Sequence, residues 1–112
     1  MRPRIISSFF VFLLSLGMYA KDADVVIIDV RTETEWNSGY LESAIHIPLD
    51  TIEKNIILTE PDKNKEIYLY CRSGNRSGKA TRILQNLGYR NVTNIGGIQS
   101  ASINLNIPIV TK

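Results

Sequence analysis

Runs of apolar residues, separated by polar or glycine-containing stretches, predict a small set of buried β-strands. Residues 24–31 (DVVIIDVR) and 67–70 (IYLY) are dominated by Val, Ile and Tyr, which is typical of strands buried on both faces of a parallel sheet. Shorter runs cover residues 44–47 and 91–95 (NVTNI), and they end at a proline and at two glycines. The pattern therefore predicts four strands, and Cys71 directly follows the second of the long runs.

Apolar residues spaced three and four apart, together with capping signals, predict helices between these strands. The predicted helices and their capping residues are 33–37 with Thr32 and Glu35, 52–58 with Asp50 and Thr51, and a helix from Ser77 or Gly78 that ends before Gly88. Strands that alternate with helices predict an α/β fold, with a small, mainly parallel sheet flanked by short helices. Residues 100–112 are polar and weakly patterned, and the sequence assigns no element to them.

The first 20 residues have the pattern of a secretory signal peptide. A basic start is followed by an apolar stretch from Ile5 to about Leu16 and by a small residue, Ala20, at the expected cleavage point. The stretch is shorter than the roughly 20 apolar residues that cross a bilayer, which favours cleavage over a membrane anchor. We therefore expect residues 21–112 to form a single domain that is exported, to the periplasm, without membrane attachment.

Charge is unevenly distributed along the chain, although its total is small. Loss of Arg2 and Arg4 with the leader would reduce the 13 basic residues to 11, which balance the 11 acidic ones. All the acidic residues precede residue 67, whereas four basic residues lie within residues 72–82. Because no aromatic residue is interleaved with that cluster, it indicates a local anion site, and we expect no nucleic-acid partner.

Cys71 is the only cysteine of the chain, and the basic, glycine-containing loop RSGNR follows it. A short loop of this kind turns backbone N–H groups inward and leads into a helix N-terminus, and both features attract anions. Together with the neighbouring arginines they should lower the pKa of the thiol from its usual value of about 8.5. The sequence thus indicates a nucleophilic thiolate beside an anion pocket. The alternative is a buried, inert thiol.

Four segments resemble motifs of the rhodanese family of sulfurtransferases. CRSGNRS (71–77) resembles the active-site loop of the family and IDVR (28–31) its first strand. GYLESAIHIP (39–48) is similar to the segment that follows that strand, and NIGG (94–97) to the late strand with its double glycine. The resemblance covers about residues 25–98, and with the leader it is greatest to small, exported members that consist of one domain.

This resemblance implies an enzyme, a thiosulfate sulfurtransferase. The Cys71 thiolate would take sulfane sulfur from thiosulfate, become a persulfide, and pass the sulfur to cyanide, another thiophilic acceptor or an acceptor protein. The resemblance implies no metal and no organic cofactor. Asp29 and Arg31 would help to fix the loop from the first strand, although an ordinary ion pair at a strand end is the alternative. The residues that would bind the donor and the persulfide are Arg72, Ser73, Gly74, Asn75, Arg76 and Ser77.

Two other functions stay open at this point. One is a persulfide-carrying or redox-sensing module with little turnover. The other is a small phosphatase or arsenate reductase, because such enzymes have similar loops with the wider spacing C-x-x-x-x-x-R. Here four residues separate Cys71 from Arg76, and a tighter ring brings the amides onto a smaller atom, which favours sulfur over phosphate.

Three residues depart from the preferences of the family. Ser43 replaces a glycine, Tyr40 a histidine, and Ala101 a tryptophan that follows the double glycine in many members. The first two lie in a predicted turn, whereas Ala101 suggests a shortened last helix that leaves the site open. His46 is the single histidine, and we expect a structural role because the proposed chemistry needs no base once the thiolate has formed.

Overall fold

The computed structural model describes residues 24–112, and the predicted leader lies outside them. The elements in chain order are β1 (Val26–Asp29), α1 (Glu33–Asn37), β2 (Tyr40–Leu41), β3 (Ile45–His46), α2 (Leu49–Thr59), β4 (Glu66–Cys71), α3 (Asn75–Asn86), β5 (Asn91–Gly97), α4 (Ile98–Leu105) and β6 (Ile109–Val110). Within residues 24–112 no helix has the length and apolar character needed to span a bilayer.

Four parallel strands form the central sheet, in the order β3-β1-β4-β5. Asp29 at the end of β1 lies opposite Tyr70 of β4, and Cys71 lies opposite Gly97 of β5. The carboxyl ends of all four strands therefore meet at one edge, outside which ligands bind in sheets of this kind. The predicted α/β fold, a mainly parallel sheet flanked by short helices, is confirmed.

Side chains alternate between the two faces of the sheet, and the faces are covered unequally. Along β4, Ile67, Leu69 and Cys71 belong to a large buried cluster, to which α2 and α3 contribute. Tyr70 belongs to a smaller cluster with Leu41, Ile98 and Ala101 under α4. This period of two places Cys71 in the larger core, because it follows Ile67 and Leu69 on the same face.

The starts of two helices differ from the predictions. Helix α2 begins at Leu49 with Pro48 (φ −56°) as its N-cap, so the predicted caps Asp50 and Thr51 are wrong. The proline ring holds φ near the helical value and leads the chain directly into the first turn. The Thr51 hydroxyl donates to the Pro48 carbonyl from within the helix, at 3.1 Å.

Helix α3 begins at Asn75, two or three residues before the predicted start at Ser77 or Gly78, because the loop turns sharply at its glycine. Gly74 adopts φ 100° at the N-cap, a left-handed conformation that glycine reaches without a steric penalty. Gly88, before which this helix was predicted to end, has a left-handed φ of 97°. The predicted capping box is also confirmed: the Thr32 hydroxyl accepts from the Glu35 amide, and the Glu35 carboxylate accepts from the Thr32 amide.

The end of the chain forms a helix, where the sequence suggested a shortened last helix, and a final strand that the sequence did not predict. Helix α4 covers residues 98–105, and β6 pairs antiparallel with β2, with Leu41 opposite Ile109. Ala101 is buried in the smaller core cluster. The two-stranded sheet therefore fastens the tail beside the turn that precedes β2.

Candidate active site

The thiol of Cys71 lies at the carboxyl end of β4, with 1% of the residue exposed to solvent. Its Sγ accepts a hydrogen bond from the backbone amide of Gly74 at 3.0 Å and another from the amide of Ser77 at 3.4 Å. The Ser77 hydroxyl lies 3.4 Å from the same sulfur. The loop thus curls around the thiol and directs N–H groups at it, as an anion-binding nest does.

Two opposing effects set the pKa of Cys71. Burial raises the pKa, whereas hydrogen bonds from the Ser77 hydroxyl and from the amides of Ser77, Ser73 and Gly74 lower it, and the net pKa is below its ordinary value. The predicted direction is confirmed, but its main cause is hydrogen bonding and not the charges of Arg72 and Arg76. A larger thiolate fraction makes Cys71 a better nucleophile near neutral pH.

Arg76 does not extend freely toward a donor anion, because it is paired with Glu35 of α1. Its two terminal guanidinium nitrogens donate to the two carboxylate oxygens at 2.7 and 2.9 Å. The hydrogen bond from Arg76 is the largest cause that lowers the pKa of Glu35 to about 2. Glu35 was predicted only as a capping residue, so its contact with Arg76, which joins α1 to the first turn of α3, was missed.

Asp29 and Arg31 form a buried ion pair directly beside β4. Arg31 Nη2 lies 2.7 Å from Asp29 Oδ2, and the Arg31 backbone amide also donates to this carboxylate, at 2.9 Å. Arg31 Nη2 reaches the Gly39 carbonyl at 2.6 Å, and the guanidinium carbon lies 5.8 Å from the centre of the Tyr70 ring. The pair therefore joins β1 to the turn before β2 and contacts the residue that precedes Cys71.

Asn94 of β5 is a second residue of the site that the sequence analysis did not single out. Its Oδ1 accepts from the Ser77 hydroxyl at 2.7 Å and from the Gly96 amide at 3.0 Å, while its Nδ2 donates to the Gly74 carbonyl at 3.0 Å. A sequence signal existed, because asparagine is disfavoured inside strands and its presence there calls for a specific partner.

The remaining predicted loop residues lie at the surface. Arg72, Ser73 and Asn75 are exposed. A cleft of about 380 Å³ opens beside the loop, and its lining residues are Arg31, Glu35, Ser38, Arg72, Ile98 and Gln99. The cation of Arg72 therefore lies near the C-terminal end of α1 and the N-terminal end of α4. Among residues 24–112 no cluster of three side chains suited to a metal ion is present.

His46 has contacts of a structural kind. Its Nε2 lies 2.7 Å from the Arg31 carbonyl oxygen, to which it donates. Its ring stacks on Trp36 with the ring centres 4.8 Å apart, and Trp36 stacks in turn on Tyr40 at 3.9 Å. The stack of three rings holds α1 against the start of β2 and the end of β3.

The thiol of Cys71 is buried, surrounded by backbone amides and placed at the carboxyl edge of a parallel sheet. This arrangement is typical of proteins that can carry a transferable group on sulfur. The family model of the Rhodanese-like domain matches residues 16–102. The chain therefore belongs to the rhodanese family of sulfurtransferases, as its motifs predicted.

Individual relatives agree with this assignment. The chain is 37% identical over 76 residues to the thiosulfate sulfurtransferase PspE of Escherichia coli strain K12. The alignment covers 68% of this chain and 73% of that protein. A solved structure of a rhodanese with anions from E. coli superimposes with a TM-score of 0.73 and 34% identity, over 79% of this chain and 99% of the other. A tRNA uridine(34) hydroxylase of Erwinia tasmaniensis is 35% identical over 80 residues, 68% of this chain, and the chain spans 23% of that protein.

Proposed function

We propose that the protein is a thiosulfate sulfurtransferase that carries sulfane sulfur on Cys71. The observation that supports this most directly is the ring around the sulfur, in which the amides of Gly74 and Ser77 donate to Sγ. Such donors favour the thiolate, and they would equally favour a negatively charged persulfide at the same place. The similarity to PspE, a thiosulfate sulfurtransferase, supports the choice of donor.

The proposed reaction has two steps. In the first, the Cys71 thiolate attacks the outer sulfur of thiosulfate, an S–S bond forms, and the original S–S bond breaks with its electron pair leaving on sulfite. In the second, the acceptor, cyanide or another thiophilic molecule, attacks the outer sulfur of the persulfide and the Cys71 thiolate leaves. Neither step requires a base once the thiolate exists, and neither requires a metal or an organic cofactor.

In this proposal the loop residues have different tasks. Ser73, Gly74 and Ser77 stabilise charge on sulfur through their amides, and Asn75 begins the helix that follows. Arg72 borders the open cleft and attracts the donor dianion, whereas Arg76 holds the loop closed through Glu35. Asp29 and Arg31 support the loop indirectly, since they contact Gly39 and Tyr70.

The decisive experiment measures the modified protein and its turnover together. Incubation of purified protein with thiosulfate should add the mass of one sulfur atom at Cys71, and addition of cyanide should remove that mass and release thiocyanate. Cys71→Ser should abolish both. Absence of the mass change in the wild-type protein would reject the proposal. A mass change without cyanide turnover would instead favour a sulfur carrier that serves a protein acceptor, and faster cleavage of a phosphate ester than of thiosulfate would favour a phosphatase.

The role of Arg72 has its own test. Arg72→Ala should raise KM for thiosulfate, and the difference should shrink as salt is added, because exposed charges are screened. Arg90→Ala is the matched control. It removes the same charge from an exposed residue that directly precedes β5, at the edge of the sheet opposite to Cys71, where it contacts Asn64. Equal effects of the two substitutions would show that Arg72 has no specific role.

We further propose that residues 1–20 direct export to the periplasm and are then removed. Expression of the full chain followed by cell fractionation should recover the protein in the periplasmic extract, with an intact mass that begins near Lys21. Recovery of uncleaved protein from the cytoplasm would contradict this part of the proposal.

A further inference from the structure

Ser77 is the residue whose hydroxyl connects the reactive sulfur to the rest of the site. It is completely buried, and its Oγ lies 3.4 Å from Cys71 Sγ and 2.7 Å from Asn94 Oδ1. A hydroxyl has one proton to donate. It can therefore donate to the sulfur or to the asparagine, but not to both.

The orientation of the Asn94 amide follows from two backbone groups. The Gly96 amide can only donate, and it faces Oδ1 at 3.0 Å; the Gly74 carbonyl can only accept, and it faces Nδ2 at 3.0 Å. Exchange of the oxygen and nitrogen would break both hydrogen bonds. The Asn94 atom that faces Ser77 is thus an oxygen, which can accept a hydrogen bond from the hydroxyl but cannot donate one.

With the proton on the Asn94 side, the Ser77 oxygen presents lone pairs to the sulfur. That arrangement suits a thiol, because the S–H group of Cys71 can donate to Oγ. It does not suit a thiolate, because two electron-rich atoms would then face each other. When Cys71 loses its proton to water, rotation about the Cβ–Oγ bond of Ser77 carries the hydroxyl proton to the sulfur.

We propose that Asn94 is a positioning residue that competes with Cys71 for the proton of Ser77, and thereby adjusts how readily the thiolate forms. After the rotation Oδ1 keeps the hydrogen bond from Gly96, so no buried polar group is left without a partner. The proposal rests on the proposed function only in treating Cys71 as the reactive thiol.

Other charged groups near Cys71 set a background that the test must hold constant. Strand β5 and helix α4, residues 91–105, contain no titratable side chain. On the other elements, the titratable and charged groups toward the loop end of the sheet are Asp29 at the end of β1, Arg31 just after it, Glu35 on α1, His46 at the end of β3, Asp50 on α2, Tyr70 on β4, Arg72 in the loop and Arg76 on α3. None of these is changed in the variants below.

The experiment measures the pKa of Cys71 from the ultraviolet absorbance of the thiolate as a function of pH, without any sulfur donor. Cys71→Ser provides the blank, since the chain has one cysteine. The variants are Asn94→Ala, Asn94→Asp, Ser77→Ala and the two double substitutions. Asn94 is exposed, so its variants should fold, and thermal unfolding checks this.

We define the coupling as the change that an Asn94 substitution makes to the pKa of Cys71 when Ser77 is present, minus the change it makes in the Ser77→Ala background. The two asparagine variants should have couplings of opposite sign. Asn94→Ala removes the competitor, so in the presence of Ser77 it should lower the pKa of Cys71 by about half to one unit relative to its effect in the Ser77→Ala background. Asn94→Asp strengthens the acceptor, so its coupling to Ser77 should raise the pKa. The effect of its charge alone appears in the Ser77→Ala background and is thereby subtracted.

A purely structural Asn94 gives a different result. Both substitutions remove the hydrogen bond from Nδ2 to the Gly74 carbonyl, so both would loosen the ring and raise the pKa of Cys71, whether or not Ser77 is present. Couplings of zero or of equal sign would overturn the proposal. Because no thiosulfate is used, this outcome is independent of whether the protein proves to be a sulfurtransferase.

Discussion

The loop around Cys71 is held from two flanks by different means. On the flank of β1 and α1, two arginine–carboxylate pairs hold the surrounding turns: Asp29 with Arg31, and Glu35 with Arg76. On the flank of β5, no charged residue is present, and the loop is held by the side-chain amide of Asn94 and by close backbone approach at Gly97. The flanks therefore differ in their expected response to pH, salt and added volume.

The two ion pairs on the charged flank also differ from each other. The side chains of Asp29 and Arg31 are 0% and 7% exposed, whereas those of Glu35 and Arg76 are 24% and 30% exposed. A buried charge that loses its partner cannot be fully solvated, but an accessible one can turn to water. Burial, more than the number of hydrogen bonds, should thus determine what each pair contributes to stability.

Asp29→Ala is expected to have the largest effect. It leaves the Arg31 guanidinium buried and unpaired, which should reduce the free energy of unfolding by about 3–5 kcal/mol. Urea unfolding measures this. The matched control is Asp50→Ala, which removes an exposed carboxylate from the first turn of α2. Similar losses for the two variants would show that burial does not decide the contribution of Asp29.

Gly97→Ala is the corresponding change on the uncharged flank. A Cβ atom there would lie 2.4 Å from the carbonyl oxygen of Arg72, which is backbone and cannot rotate away. The overlap should cost about 1–3 kcal/mol of unfolding free energy and displace the ring, so that the first sulfur-transfer step slows. Thermal unfolding and stopped-flow persulfide formation measure the two effects.

Gly96→Ala is the control for that substitution. A Cβ atom at Gly96 meets nothing within 4 Å, and its φ of 88° is the sole source of strain. We expect a cost of about 1–2 kcal/mol from the left-handed backbone alone, with the rate of sulfur transfer nearly unchanged. If Gly96→Ala slowed transfer more than Gly97→Ala, the assumed close approach at Arg72 would be wrong.

Glu35→Gln tests the exposed ion pair. Glutamine keeps the capping-box hydrogen bond to Thr32 but removes the charge that Arg76 contacts. The expected loss of unfolding free energy is about 0.5–1 kcal/mol, and it should diminish at high salt. Equilibrium unfolding at low and high ionic strength provides the measurement. A loss as large as that of Asp29→Ala, or one that salt leaves unchanged, would contradict the comparison.

The smallest expected effect is the loss of the stability contributed by Glu35 at acidic pH. The pKa of Glu35 is lowered to about 2 from an ordinary 4.5, mainly by its hydrogen bond with Arg76. A carboxyl whose pKa falls on folding stabilises the protein above the unfolded pKa, and that contribution is lost as pH falls through the folded one. The stability difference between wild type and Glu35→Gln should therefore be constant above about pH 5 and vanish toward about pH 2. A stability difference between the two proteins that grew on acidification would contradict this prediction.

The sequence by itself determined the four strands of the central sheet, the capping box of Thr32 and Glu35, and the position of Cys71 at the end of β4. These features depend on residues close together in the chain, since strand and helix patterns and caps are local. It also determined the count of four residues between Cys71 and Arg76. The start of α3 lies two or three residues earlier than predicted, because the effect of a left-handed glycine on the first turn appears only in the backbone geometry.

Partners that are distant in the sequence were decided by the tertiary structure. Glu35 and Arg76 are 41 residues apart, and Ser77 and Asn94 are 17 apart. An arginine can pair with a bound anion or with any carboxylate in reach, and a hydroxyl can donate to any acceptor in reach. Folding selects the partner by bringing α1 and β5 to opposite sides of one loop. The candidate nucleophile, Cys71, could therefore be identified from the chain, whereas the groups that hold its loop and share its hydrogen bonds could be identified only from the fold.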